Sequence, residues 1–131
     1  MSMSSESPWQ GRALSVLRIV AGVMFVTAGT TKLFGFPSAM PHPLPTLILV
    51  AGILETFGGA LITLGLLTRP VAFLLSGEMA VAYFKAHFPH SPYPTVNEGV
   101  SAALYCFIFL YLVFAGAGPW SIDAAIGRGR R

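Results

Sequence analysis

TLILVAGILETFGGALITLGLL, residues 46–67, decides the fold. It is a long apolar run with one acid, Glu55, near its middle. About 20 apolar residues span the hydrocarbon of a bilayer, and a helix satisfies every backbone group within its own segment. A carboxylate at the centre of such a helix costs roughly 2.5–3.5 kcal/mol on insertion scales, against a gain of about 0.3–0.6 kcal/mol for each Leu or Val. A second run, PVAFLLSGEMAVAYFKAHF at 70–88, carries Glu78 in the same way. Acids so placed face a bundle interior, a water-filled cavity or a partner charge, and they mark function.

Two more apolar runs, at about 13–33 and 98–117, complete a set of four spans. The 131-residue chain is 54% hydrophobic and 10% charged, where a soluble domain carries about 25% charged residues. Mean hydropathy is +0.70. The predicted fold is therefore all-α, an integral-membrane four-helix bundle forming one domain over 1–131, with no soluble catalytic domain. The opening MSMSSESPWQGR has no basic n-region, and no A-x-A-like site follows it. No secretory signal is expected, and the first span stays as a helix.

Net charge is +3. Arg12, Arg18, Arg69, Arg128, Arg130 and Arg131 fall on one side of a four-span map, and Lys32 and Lys85 toward the other. The positive-inside rule then puts both termini in the cytoplasm, with Trp9 and Trp120 at that interface. The GRGRR ending reads as a partner of anionic lipid, not of nucleic acid. Cys106 is the sole cysteine, which excludes an internal disulfide and argues against thiol–disulfide chemistry.

Prolines punctuate the rest. Pro37, Pro41, Pro43 and Pro45 make the first outer loop irregular, and Pro89, Pro92 and Pro94 the second. Pro70 suits the first turn of span three, so spans two and three form a tight hairpin. Asn97 is placed to cap span four. On span two, Gly52, Thr56, Gly59 and Thr63 recur at helical spacing, a stripe read as close helix packing within the chain.

Depth orders the charges. At about 1.5 Å per residue, Arg18 and Glu78 fall at one level, and Glu55 and Lys85 at another. Two pairs are predicted, Arg18 with Glu78 and Lys85 with Glu55, lining a pocket for a polar headgroup or a path for protons. Lys32, His87 and Glu98 form a predicted outer polar group. A purely structural role, in which the pairs lock the bundle, is the competing reading. No metal or haem site is expected, because His42, His87 and His90 have no H-x-x-x-H or C-x-x-C spacing. No phosphate loop, nucleophile elbow or dinucleotide motif appears, and no residue is nominated as catalytic.

LRIVAGVMFVTAGTTKLFGF at 17–36, ETFGGALITLGLLTRPVA at 55–72 and GPWSID at 118–123 resemble the DoxX/DoxD family of small bacterial membrane proteins. Arg18, the E-x-x-G-G element (Glu55, Gly58, Gly59) and the LGLLTR turn carry the likeness. The resemblance implies four transmembrane helices, a bacterial cytoplasmic (inner) membrane location and a link to quinones or redox complexes. Three functions are expected: a quinone-linked membrane subunit, a small transporter that uses a membrane glutamate as its proton-coupled site, or a non-catalytic assembly subunit. A quinone is the one cofactor suggested. A homo-oligomer or a redox partner subunit is expected in the bilayer. The aromatic face Phe107, Tyr111 and Phe114 is the candidate interface.

Overall fold

The computed structural model describes residues 7–36, 38 and 45–127, and among them every regular element is helical. The long helices are α1 (Pro8–Phe34), α2 (Thr46–Leu64) and α3 (Thr68–Ala82). After them come a short α4 (Pro94–Asn97), then α5 (Val100–Ala115) and a short α6 (Ile122–Ala125). Helical backbone continues beyond α3 as a π-helical turn, Tyr83–His87, and a 3-10 turn, Phe88–His90. By length and composition α1 and α2 are able to cross a bilayer, and α5 is apolar but shorter. Pro37, Pro41, Pro43, His42, Arg128, Arg130 and Arg131 lie outside the described residues.

Local chemistry sets the ends. α1 starts earlier than the apolar run, because the Ser7 hydroxyl accepts the Trp9 N–H at 2.9 Å and Pro8 occupies the first turn, where its missing N–H costs nothing. α2 stops at Leu64, before the apolar run does. Gly65 turns left-handed there (φ 71°), and the Leu66 N–H bonds back to the Leu61 carbonyl at 3.0 Å. The hairpin between α2 and α3 is therefore as tight as expected. Asn97 is not the cap of α5 but the last residue of α4; its Oδ1 accepts the Gly99 N–H at 2.8 Å.

α3 has no side-chain cap of its own. Leu67, just before it, sits at φ 54°, a left-handed conformation that costs a side-chain-bearing residue about 1–2 kcal/mol. Asp123 holds it there. Its two carboxylate oxygens accept the Leu67 and Thr68 N–H groups at 2.9 Å each. A distant carboxylate thus does the work of a helix cap and also meets the positive end of the α3 dipole. Asp123 is fixed in turn by its own N–H, which donates to the Gly65 carbonyl at 2.8 Å.

α1 lies along α2, α3 lies along α5, α2 touches α3, and the α1–α5 junction is slight. The α1–α2 approach is set by small residues. A Cβ on Gly29 would stand 2.4 Å from the Thr56 nitrogen, and one on Gly22 2.6 Å from the Thr63 nitrogen. Only glycine admits a neighbouring backbone at that range. The Gly52–Thr63 stripe packs within the chain, as its spacing predicts. Phe25, Ile62, Leu75, Met79, Phe109 and Leu112 fill the core. Phe57, Phe73, Phe107 and Phe114 point outward, each at least 65% exposed. So large an apolar exterior is foreign to a soluble monomer.

Candidate functional site

Two polar centres lie inside this apolar shell. The first surrounds Arg18, which is 1% exposed. Its Nε donates to the Ile62 carbonyl at 2.9 Å and its Nη2 to Trp120 at 2.8 Å and Thr63 at 3.4 Å. Its Nη1 donates to the Ala117 carbonyl. Asp123 is its acidic neighbour. The predicted Arg18–Glu78 pair is not formed. The register of the glycine seam explains why: it carries Arg18 to the C-terminal end of α2, where orphan carbonyls attract a cation. The Arg18 fork ties α1, the end of α2 and the 117–120 segment together.

The second centre lies toward the other end of α1. Lys32 Nζ donates to Glu55 Oε1 at 2.8 Å, and the Glu55 side chain is 3% exposed. Glu78 of α3 approaches Glu55 closely enough for direct interaction, and Lys32 is within electrostatic reach of it. Both Glu78 carboxylate oxygens are buried and accept no hydrogen bond among the described residues. The ammonium therefore bonds Glu55, and a second carboxyl lies within its electrostatic reach. Tyr105 of α5 also feels the Glu55 charge. An aromatic layer closes the centre on the Arg18 side. The Phe25 ring sits 5.1 Å from Tyr105 and 4.9 Å from Phe109.

The predicted Lys85–Glu55 pair is corrected to Lys32–Glu55. Lys85 falls inside the π-helical turn and is exposed. A π turn takes up an extra residue and rotates the downstream backbone, so the seven-residue spacing from Glu78 no longer keeps both on one face. The predicted outer group also comes apart. Lys32 belongs to Glu55, and Glu98 is exposed at φ 64° after α4. The His87 Nδ1 lies 3.0 Å from the Asn97 carbonyl. Asn97 is the organiser here, donating to the Tyr83 hydroxyl at 3.1 Å and to the Ser91 carbonyl at 2.8 Å.

The DoxX family model matches residues 13–88, more than half of the chain and the part that bears Arg18, Lys32, Glu55 and Glu78. The chain belongs to the DoxX family. It is 44% identical over 128 residues to an uncharacterized protein of Haemophilus influenzae, covering 92% of this chain and 96% of that one. It is 30% identical over 124 residues to the inner membrane protein YqjF of Escherichia coli, covering 86% and 91%. No solved structure matches.

In this DoxX chain the missed partner, Lys32, had a signal in the sequence. Matching Gly22 to Thr63 and Gly29 to Thr56 carries Lys32 past Gly52, whose Cβ would touch the Lys32 side chain. Glu55 lies one turn along the same face. Breaking a buried ion pair costs about 3–5 kcal/mol when one charge is left behind. Lys32→Met is expected to fall at the low end, since a quarter of the Lys32 side chain is exposed. Adding Glu55→Gln should restore most of the loss. Unfolding of both variants in detergent measures it; a double mutant as unstable as the sum of the singles would remove the coupling.

Proposed function

We propose that this chain is a multi-pass inner-membrane subunit that exchanges protons with a quinone-class substrate at Lys32, Glu55 and Glu78. One observation carries the reading: the two Glu78 carboxylate oxygens are buried and accept no hydrogen bond among the described residues, and Glu55 lies beside them. An apolar shell does not tolerate a second carboxylate on one lysine unless a proton or a polar ligand meets it. Conversion of a quinone to a quinol takes up two electrons and two protons. The carboxyl pair is suited to the protons, and the electrons are assigned to a partner redox subunit.

In this reading α1, α2, α3 and α5 form a four-helix bundle across the bilayer, with both termini in the cytoplasm. The outward-facing rings, the inner-membrane name of the Escherichia coli relative and the Arg12 and Arg69 positions support it. Phe107, Tyr111 and Phe114, at 67%, 56% and 73% exposure, are offered as the face for the partner or for a second copy. A proton-coupled transporter is the second reading. The same carboxyl pair favours it, because a shared proton needs no electron donor.

Glu78→Gln tests the proposal. Arg18 does not depend on Glu78, so the variant should fold normally. Infrared spectra of the wild type should contain a protonated-carboxyl band that the variant lacks. Quinone-coupled turnover of the assembly purified from membranes should fall roughly 100-fold, the scale of a lost acid–base group. Full turnover in Glu78→Gln refutes the proton role. Loss of proton-driven solute uptake in vesicles, with quinone turnover untouched, selects the transporter.

A further inference from the structure

Between the start of α3 and the end of α5, at the Arg18 end of the molecule, lies a cavity of about 170 Å³. Its polar lining is Thr68, Arg69 and Asp123, and Leu67, Pro70 and Ala117 complete the wall. Gly116 makes room for the Arg69 head. It sits at φ 82°, and a Cβ there would stand 3.0 Å from Arg69 Nη2.

One side chain in this cavity lacks a partner. Thr68 is fully buried, and its hydroxyl makes no hydrogen bond among the described residues. A buried polar group left unsatisfied in a native structure calls for an explanation such as a bound ion or ligand. Charge says which kind. Arg18 and Arg69 are at this end, and so is Arg12, whose neighbour Gly11 lies against Pro119. The one acid among the described residues there is Asp123. Both its oxygens already accept the Leu67 and Thr68 N–H groups, and it neighbours Arg18. Positive charge is left over, and the leading end of α3 adds to it. The cavity therefore suits an anion with acceptor oxygens for Thr68 and Arg69, as phosphate has.

Surroundings point to the source of that phosphate. Trp9 and Trp120 are exposed at the same end, and Arg12 stacks over the Trp9 ring at 4.6 Å. Indole rings favour the headgroup level of a bilayer. One turn along α3 from Arg69, and on the same face, Phe73 is exposed. A phosphate held in the cavity would have an apolar surface beside it for acyl chains.

We propose that this cavity binds the phosphodiester headgroup of an anionic lipid, with the Thr68 hydroxyl and the Arg69 guanidinium donating to its phosphate oxygens. The site is separate from the Lys32–Glu55–Glu78 centre and does not rest on the proton-exchange reading. The volume admits a phosphate group, and charge is the basis of selection. A bound lipid would bridge α3 to the end of α5 beside the Asp123 cap.

The test uses the full chain in nanodiscs of phosphatidylcholine doped with phosphatidylglycerol. Native mass spectrometry reads the lipid retained after the disc is stripped. One phosphatidylglycerol per chain should be kept, at least about tenfold in excess over phosphatidylcholine when corrected for abundance. Thr68→Val keeps the shape and removes the hydroxyl. It should lower retention about tenfold, the scale of a hydrogen bond to a charged group. Its thermal midpoint in lipid-free detergent should not fall, because the hydroxyl has no partner in the chain to lose. Arg69→Gln should lower retention at least as much. Added phosphatidylglycerol should raise the wild-type midpoint in detergent, as any ligand of the folded state does, and raise that of Thr68→Val less. Equal retention of the two lipids overturns the charge assignment. Retention that survives both substitutions overturns the cavity as the site. A midpoint raised as much by inorganic phosphate as by the lipid overturns the lipid as occupant. A lipid-free Thr68→Val protein that melts well below the wild type gives the hydroxyl a structural role and overturns its part in binding.

Discussion

Arg18→Met is expected to leave little folded protein. The guanidinium donates to four carbonyls, at Ile62, Thr63, Ala117 and Trp120, and neighbours Asp123. Methionine fills much of the same volume and donates to none of them. Each buried carbonyl left unpaired costs about 1–3 kcal/mol, and a stranded charge costs more. The sum approaches the total stability of a small domain, about 5–15 kcal/mol. Arg18→Lys should recover only part of the loss, because an ammonium cannot reproduce the planar fork. Folded yield in mild detergent and thermal unfolding would report both. A stable Arg18→Met protein would mean that the 117–123 segment is held by other contacts.

Gly29→Val is expected to be nearly as damaging, for a steric reason. A Cβ at Gly29 would lie 2.4 Å from the Thr56 nitrogen and 2.8 Å from the Gly52 carbonyl oxygen. Those are backbone atoms and cannot rotate away. α1 and α2 must separate, and the Lys32–Glu55 pair is stretched with them. Overpacking of a tight core costs about 1–3 kcal/mol or more, to which the weakened ion pair adds. Gly77 is the control, because a Cβ there meets nothing within 4 Å. Gly77→Ala should leave thermal unfolding unchanged or raise the midpoint slightly, as expected for a better helix former. Equal behaviour of the two variants would remove the seam as a determinant of the fold.

Helix identity was legible because bilayer-length apolar runs leave few alternatives. The small-residue stripe was legible for the same reason, since spacing on one helix is local information. The ion pairs were not. Pairing by depth treats each helix as a straight rod and ignores which rods touch. Arg18 and Glu78, given one level by counting residues, lie in different centres, Arg18 at Ile62 and Thr63 and Glu78 beside Glu55. Lys85 left its expected face because a π turn intervenes, and nothing in YFKAH announces an extra residue in the turn. Asp123 had no local reason to be singled out. Its work is done on Leu67 and Thr68, more than fifty residues earlier.

That reach across the sequence also sets an order of events during synthesis. When α1 and α2 have both been made, Arg18 finds the Ile62 and Thr63 carbonyls already waiting. The Ala117 and Trp120 carbonyls, and the carboxylate that caps α3, do not yet exist. Until then the leading end of α3 is uncapped, and Leu67 is free to relax out of its left-handed conformation. Maturation is complete only when Ala117–Asp123 leaves the ribosome and closes on the first half of the protein. A chain released before that point carries all its long helices and still lacks its clasp. To a membrane protease, the difference is an accessible hairpin between α2 and α3.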